Sequence, residues 1–238
     1  PPPPPPPPLF FFTLKTPYEI LSGLVGSEMC IRDRSKAVHV KTLHTVLRLN
    51  LNCIQKRDTQ NEVVYVNDDP YDKSASIQKY MKSADRILFI DFGVSLDEGS
   101  IGQVLADHNG IGCVVFPGVI EGIDWGMFKA KVKDGSTEPV EQMGLHFDTK
   151  VGKKVGDDLY QVDKTGARAW VMMCKHVLKC VKDKRTNECK VPPRMEQMFT
   201  KFKELGVKIN AFTASKLTMT YTHECVSNLL NAAGVKAN

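Results

Sequence analysis

The most regular pattern of apolar and polar positions lies between residues 62 and 116, where short apolar runs alternate with amphipathic segments. The apolar runs cover residues 63–66, 86–91 and 112–116, and each has the length and composition of a β-strand. The segments between them, residues 74–84 and 97–106, carry apolar residues at helical spacing. Ser74 can cap the first helix, and acidic residues lie in the first turn of the second. The pattern therefore predicts the order strand, helix, strand, helix, strand.

This order predicts an α/β fold that is Rossmann-like, with a mostly parallel central sheet flanked by helices. The run at 86–91 is almost continuously apolar, which is typical of a strand covered on both faces. Beyond residue 118 the chain is rich in loop-forming residues, with a short helix predicted near 123–132 and a strand pair around 158–163. Residues 168–184 are predicted as a strand leading into a helix or as helix throughout, 194–206 as an amphipathic helix, and 216–223 as a strand that returns to the same sheet.

The first 34 residues do not continue this pattern. A run of prolines is followed by a short apolar stretch that Lys15, Pro17 and Glu19 interrupt, so the segment fits neither a signal peptide nor a transmembrane span. The string SEMCIRDR and the residues before it resemble a translated sequencing adapter. We therefore interpret residues 1–34 as a non-native or disordered appendage and residues 35–238 as a single domain.

Charge and cysteine content narrow the possible functions. The formal net charge of +5 is spread over short basic clusters that acidic residues interrupt, which is more typical of a solvated surface than of a nucleic-acid interface. We expect no nucleic-acid partner and no transmembrane segment. The cysteine spacing does not indicate a disulfide framework, so we predict reduced thiols and a cytoplasmic location.

Polar residues follow each of the predicted strands. Because ligands of an open parallel sheet bind beyond the carboxyl ends of its strands, Asp68 and Asp69, the Asp91–Gly93 turn and the loop after residue 116 are candidate site segments. Asp91 is the most informative residue, since a carboxylate that ends a buried strand costs free energy unless it meets a partner, a helix N-terminus or a ligand. Two interpretations stay open for it: a cap or turn former, or a contact to a sugar nucleotide or a metal ion.

Several strings then indicate a family. Four strings follow one another along the chain: DKSASIQKYMKSADRILFIDFGVSLDEGSI, CVVFPGVIEGIDWGMF, ARAWVMMCKHVLKCV and KLTMTYTHE. The resemblance that they carry runs from about residue 63 to residue 223. In this order they resemble glycosyltransferases of the GT-A fold, and the chain is also similar to proteins of large DNA viruses. Two of the family's strings are changed here, because ARN is replaced by SAS at 74–76 and GTG by ARA at 167–169.

The resemblance implies a nucleotide-sugar donor, a glycan or protein acceptor, and a divalent cation, Mn²⁺ or Mg²⁺, that bridges the donor diphosphate. It implies transfer of the sugar from the donor to the acceptor. The alternative is an inactive, glycosyltransferase-derived protein that serves in binding or is associated with a virion.

Site residues can be carried over by position. Asp91 takes the place of the first aspartate of the family's Asp-x-Asp motif, which implies contact with the ribose or the metal ion, and Gly93 stands where the second aspartate would bind the cation. His223 corresponds to a late metal ligand, although a histidine closing a strand is the other interpretation. Asp124 is the candidate catalytic base, and Trp125 either stacks on the acceptor or belongs to the core. Gly93 leaves the cation one carboxylate short, which keeps binding without transfer as the alternative function.

Overall fold

The computed structural model describes residues 40–55, 61–64, 66, 69–91, 93–120, 122–140, 142–183 and 189–219. In chain order, the helices and strands in these ranges are α1 (Val40–Gln55), α2 (Pro70–Tyr80), β1 (Arg86–Ile90), β2 (Val94–Ser95), α3 (Glu98–Leu105), β3 (Cys113–Val115), α4 (Trp125–Lys133), β4 (Thr149–Gly156), β5 (Leu159–Thr165), β6 (Ala169–Met173), α5 (Cys174–Val181), α6 (Met195–Glu204), β7 (Ile209–Phe212) and β8 (Thr218–Met219). The predicted α/β class is confirmed.

The centre of the fold is a six-stranded sheet with the spatial order β1-β6-β3-β7-β5-β4. Strands β1, β3, β7 and β4 point in one direction, and β6 and β5 run against them. The β3–β7 pair is parallel, and the other four pairs are antiparallel. The carboxyl ends of β1, β3 and β7 therefore share one edge with the amino ends of β6 and β5. We call this the carboxyl edge.

Strand β1 supplies side chains to both faces of the sheet, because successive side chains of a strand point to opposite sides. Ile87 and Phe89 belong to a core formed with α2, α5 and α6, whereas Leu88 and Ile90 belong to a second core formed with α1 and α3. On the first face the Trp170 ring stacks on Phe89 with 5.2 Å between the ring centroids. This burial confirms that residues 86–90 form a strand covered on both faces.

Helix α2 begins earlier than predicted, because its cap is Asp69 and not Ser74. The Oδ1 atom of Asp69 accepts hydrogen bonds from the N–H groups of Tyr71 (2.7 Å) and Asp72 (3.0 Å), which satisfies two donors of the first turn. Ser74 lies inside the helix and is buried, and its hydroxyl donates to the carbonyl oxygen of Val191 over 2.6 Å. A hydroxyl that finds a distant carbonyl in this way no longer competes for the helix N-terminus.

The predicted strand at 63–66 is wrong for the described residues of that segment. Val63, Val64 and Val66 form no strand. Val66 is buried in the core beneath α2, Val64 packs against the same core, and Val63 packs against the core on the other face. Valine favours a half-buried surface, and packing against the helices provides one without a hydrogen-bonded ladder.

The strand predicted at 216–223 does not return to the main sheet in its described part. Its residues Thr218–Met219 form β8, which pairs antiparallel with β2 in a separate two-stranded sheet. Helix α1 holds β2 in place, because the Thr42 hydroxyl donates to the Val94 carbonyl oxygen over 3.1 Å and Thr45 Oγ1 accepts from the Leu96 N–H over 3.0 Å. The anchored β2 offers β8 a nearby edge.

The other predicted elements agree with the structure. Residues 97–106 contain α3, 112–116 contain β3, 123–132 overlap α4, and 194–206 contain α6. The described part of 168–184 contains a strand leading into a helix, β6 and α5. The strand pair predicted around 158–163 is the β4–β5 hairpin. None of the helices in the described ranges is long and apolar enough to cross a membrane. The appendage at 1–34 lies outside the described residues.

The double-sided burial of β1 leads to a first prediction. Replacing Ile90, which is 0% exposed, with alanine removes buried methyl groups and leaves a cavity. We expect the free energy of unfolding to fall by about 2–5 kcal/mol. The matched control is Ile54→Ala on the outer face of α1, where the side chain is 72% exposed and the change is expected to stay within about 0.5 kcal/mol. Urea unfolding measures both, and equal losses would contradict the assigned burial.

Candidate functional site at the carboxyl edge

Three neighbouring strands bring Asp91, Arg168 and Gly118 together at the carboxyl edge. Asp91 follows β1, Arg168 precedes β6, and Gly118 follows β3, and these strands are adjacent in the order β1-β6-β3. The backbone N–H of Asp91 donates to the carbonyl oxygen of Arg168 over 2.8 Å. The side chains also pair, because Arg168 Nε donates to Asp91 Oδ2 over 2.9 Å. Asp91 and Arg168 are therefore held next to each other by both backbone and side-chain contacts.

The ion pair accounts for the carboxylate at the end of a buried strand. The Asp91 side chain is 16% exposed and that of Arg168 is 27% exposed, so both are largely shielded from solvent. A charge-assisted hydrogen bond in such a place is stronger than one in open water and offsets part of the desolvation of the two groups. Asp91 thus has a structural partner, and its contact with a ligand stays a prediction.

Gly93 has a local structural reason to be glycine. Its φ of +76° lies in the left-handed region, which side chains other than glycine adopt only with strain. The residue is buried, and its N–H donates to Thr42 Oγ1 over 3.1 Å. The position that would carry the second aspartate of the Asp-x-Asp motif is therefore a turn fixed by α1.

A second carboxylate, which the sequence analysis did not identify, lies at the same edge. Asp148 immediately precedes β4, and its Oδ1 accepts from the Gly118 N–H (3.1 Å) and from the Thr149 hydroxyl (2.7 Å). Its Oδ2 is buried and has no hydrogen-bond partner among the described residues. Burial raises the pKa of the Asp148 carboxyl above its usual range, although these hydrogen bonds and the positive charge of Arg168 oppose the shift.

The residues from Gly118 to Asp148 form an insertion that starts and ends at the carboxyl edge. Its two stems lie side by side: the Asp148 N–H donates to the Gly118 carbonyl oxygen (2.9 Å), and the Asp124 N–H donates to the Gly144 carbonyl oxygen (2.8 Å). An isolated bridge between Val119 and Phe147 lies between these contacts. The pairing carries Asp124 and α4 outward from the same edge that holds Asp91.

Asp124, the predicted catalytic base, caps helix α4. Its Oδ1 accepts from the Met127 N–H over 2.9 Å, and its Oδ2 lies 3.2 Å from His146 Nε2. The hydrogen bond from Met127 and the one from His146 lower the pKa of this exposed carboxyl. Its described contacts are those of a helix cap and of a pair with His146, and its role as a base stays a prediction.

Trp125 is not a core residue. Its side chain is 61% exposed, and its ring meets the edge of Phe128 with 5.8 Å between centroids. Of the two interpretations made from the sequence, burial in the core is therefore wrong, and stacking on an acceptor stays a prediction. An exposed indole at the start of an exposed helix is available to a planar or sugar ligand.

Of the remaining predicted site residues, Asp69 is among the described residues, and Asp68 and His223 are not. Asp69 caps α2, and the first turn of α2 lies over the end of β1, since Lys73 Nζ is 5.8 Å from the centroid of the Phe89 ring. The described part of the strand leading to residue 223 does reach the carboxyl edge, because a Cβ on Gly118 would lie 2.6 Å from Met219 Sδ. A shared site of Asp91 and His223 stays a prediction.

The described residues do not fit a divalent cation at Asp91. A hard cation needs several oxygen ligands, and Gly93 contributes no side-chain oxygen. The Asp91 carboxylate already carries a guanidinium on Oδ2, and a second positive charge there would be repelled. No group of three or more histidine, cysteine, aspartate or glutamate side chains suited to a metal ion occurs in the described ranges.

No protein-family model matches the sequence, and no curated protein matches it. Among solved structures, the chain is similar to A197 from STIV, with 12% identity, a TM-score of 0.47, and coverage of 83% of this chain and 86% of that one. It is also similar to GalNAc-T7 with UDP, GalNAc and Mn²⁺ (10% identity, TM-score 0.47), covering 83% of this chain and 44% of that one. A further structure is the inositol-1-phosphate CTP transferase from T. maritima, at 8% identity and a TM-score of 0.41, with coverage of 90% and 100%. At this level of similarity, the function of the chain has to be argued from its own residues.

The conformation of Gly93 leads to a second prediction. Gly93→Ala places a Cβ on a residue with a φ of +76°, so we expect the protein to lose about 1–2 kcal/mol of stability. The control is Gly102→Ala on the exposed side of α3, where an added Cβ meets nothing within 4 Å, and a gain of about 0.5–1 kcal/mol is expected. Thermal unfolding separates the two signs. A stable Gly93→Ala variant would show that the left-handed turn is not required.

The buried carboxyl of Asp148 leads to a third prediction. Because its folded-state pKa is raised above the ordinary 3.8, folding favours the protonated form, and this contribution to stability is lost as the pH rises through the folded-state pKa. Asp148→Asn cannot ionise. We therefore expect the variant to gain stability relative to the original protein as the pH increases from about 4 to about 7. Urea unfolding across this range tests it, and parallel stability curves would contradict the raised pKa.

Asp97 serves as a control of opposite sign. Burial pushes its pKa up, but hydrogen bonds from the Ser100 hydroxyl and from the N–H groups of Lys216, Ser100 and Gly99 outweigh burial and lower the pKa. Its contribution to stability is present above the unfolded-state pKa and is lost as the pH falls through the lower, folded-state value. Asp97→Asn is therefore expected to be less stable than the original protein at neutral pH, and this difference in stability is expected to shrink as the pH falls. For Asp148→Asn the relative stability changes with pH in the opposite direction.

Proposed function

We propose that the chain binds a nucleotide-sugar donor at the carboxyl edge and transfers its sugar to a hydroxyl of a glycan or protein acceptor. The observation that carries the proposal is the Asp91–Arg168 pair, which lies between the carboxyl end of β1, a strand buried on both faces, and the amino end of β6. Ligands of open α/β sheets bind beyond the carboxyl ends of such strands. The proposal also agrees with the family that the sequence resembles between residues 63 and 223.

The groups at this edge have the chemistry that a nucleotide sugar needs. A carboxylate such as Asp91 accepts hydrogen bonds from the hydroxyls of a ribose or a sugar. A guanidinium such as Arg168 presents planar N–H donors that match phosphate oxygens. The insertion from Gly118 to Asp148 adds the exposed indole of Trp125, which can stack on a sugar face on the acceptor side.

In the transfer step, the acceptor hydroxyl oxygen forms a bond to the anomeric carbon of the donor sugar. The bond from that carbon to the diphosphate oxygen breaks, and the nucleoside diphosphate leaves with the electron pair. The hydroxyl proton passes to a base, for which Asp124 is our candidate. Positive charge close to the diphosphate stabilises the leaving group.

Binding without transfer is the second candidate function, and two observations favour it. The lowered pKa of Asp124 makes this carboxylate a weak base near neutral pH, where an efficient general base has a pKa close to the working pH. Gly93 adopts a left-handed turn where an active enzyme of the family would hold a carboxylate. Both features suit a domain that keeps the donor site but has lost the chemistry.

The test is a calorimetric binding titration of the chain with a panel of nucleoside diphosphate sugars. We expect one nucleotide class to bind, and we expect Asp91→Asn to weaken it by about tenfold or more, which corresponds to about 1.4 kcal/mol. The control is Asp107→Asn, which alters the Asp107–Arg86 pair of 2.8 Å at the opposite edge of the sheet and is expected to leave affinity unchanged. Absence of binding across the panel would overturn the proposal.

A second measurement separates transfer from binding. The chain is incubated with the donor that it binds and with a mixture of glycan and peptide acceptors, and the release of nucleoside diphosphate is measured. Acceptor-dependent release that disappears in Asp124→Asn supports transfer with Asp124 as the base. Donor binding without any release supports the inactive domain.

A further inference from the structure

We infer that Arg168 takes the place of a divalent cation at this site, so that the chain recognises the diphosphate of its ligand without a metal ion. The inference rests on the proposed function, since it concerns how the same site holds the donor. It arises from the disagreement between the cation that the resemblance implies and the residues that the carboxyl edge contains.

The charges at the site support the exchange. Two carboxylates with one divalent cation have no net charge, and one carboxylate with one guanidinium has none either. Here Gly93 removes one carboxylate, and Arg168 adds a guanidinium that pairs with the remaining one, Asp91. The Asp91–Arg168 pair therefore has the same sum of charges as two carboxylates with a divalent cation, although the positive charge is now part of the chain.

The geometry of the pair suits an anion. Arg168 pairs with Asp91 through Nε at 2.9 Å, and a guanidinium carries five N–H donors in one plane. The pairing fixes the plane of the guanidinium, which lowers the entropy lost when a phosphate binds. The Arg168 side chain is 27% exposed, so it is held by the protein and still reached by solvent.

The backbone gives Arg168 its position. Its carbonyl oxygen accepts from the Asp91 N–H, and the next residue, Ala169, accepts from the Phe116 N–H over 3.0 Å. Arg168 is therefore held between the ends of β1 and β3, at the centre of the row on the carboxyl edge. An arginine placed there by two ladders moves little when a ligand binds, as electrostatic recognition of a diphosphate requires.

Among the described residues, the carboxyl of Asp148 also interacts with Arg168. Burial raises the pKa of this carboxyl, and the positive charge of Arg168 opposes the shift. The Asp148 Oδ1 atom is already occupied by the Gly118 N–H and the Thr149 hydroxyl. Asp148 thus fixes the chain at Gly118 beside the arginine.

The experiment titrates the full chain with the nucleoside diphosphate sugar found in the panel, once with EDTA and once with Mn²⁺. We expect the two dissociation constants to agree within about twofold, and Arg168→Gln to weaken binding by about tenfold or more in both buffers, the scale of one lost charge-assisted hydrogen bond. Arg168→Lys keeps the positive charge without the planar donors, so its affinity for the donor is expected to lie between those of the original chain and Arg168→Gln.

Two controls connect the loss to the diphosphate. Lys208→Gln removes an exposed positive charge before β7, at the opposite edge of the sheet, and is expected to leave affinity unchanged. The free nucleoside of the same base serves as a ligand without phosphate, and its affinity is expected to be the same for Arg168→Gln as for the original chain. Thermal unfolding of each variant confirms that the fold is intact.

The outcomes separate this inference from the proposed function. Binding that requires Mn²⁺, or that survives in Arg168→Gln, overturns the role of Arg168 and leaves the donor site standing. An equal loss for nucleoside and nucleoside diphosphate in Arg168→Gln also overturns it, because the arginine would then act on the fold of the site. Absence of binding in both buffers overturns the proposed function together with the inference.

Discussion

The insertion of β6 between β1 and β3 is the constraint on which the rest of the structure depends. All five residues of β6 are buried, and the strand forms antiparallel ladders on both sides. Because β6 runs against its neighbours, its amino end meets their carboxyl ends. Arg168 is brought beside Asp91 for this reason, although the two residues are far apart in the chain. A parallel strand in the same position would place its preceding loop at the other edge.

The polar contacts around this edge hold several loops with few residues. Thr42 on α1 bonds the turn at Gly93, and Asp148 bonds the chain at Gly118. The β2–β8 pair then brings Met219 against the same glycine. Buried hydrogen bonds of this kind cost more to leave unmade than they contribute when formed, so each one restricts the loops to a single arrangement. The candidate site is a consequence of these restrictions.

The resemblance implies both nucleotide binding and cation-dependent transfer, and these two properties need different side chains at the carboxyl edge. Nucleotide binding needs a carboxylate and donors for a diphosphate, and Asp91 and Arg168 have that chemistry. Cation-dependent transfer needs further oxygen ligands and a base of suitable pKa, and Gly93 and Asp124 do not offer these in the described structure. A chain can keep the first property after losing the second, because the two depend on different side chains.

The sequence by itself determined the class of the fold and the buried strand that ends at Asp91, because hydrophobic spacing depends on local periodicity and on which faces are covered. It also indicated the loops that contain Asp69 and Asp124 and the short helix that begins at Trp125. It did not reveal the direction of β6, the partner of β8 or the pairing of Arg168 with Asp91. Those features depend on contacts between distant segments, which local patterns do not encode. The change from GTG to ARA at 167–169 is visible in the sequence. The contact of Arg168 with Asp91 is decided by the tertiary structure, because it depends on the pairing of β6 with β1.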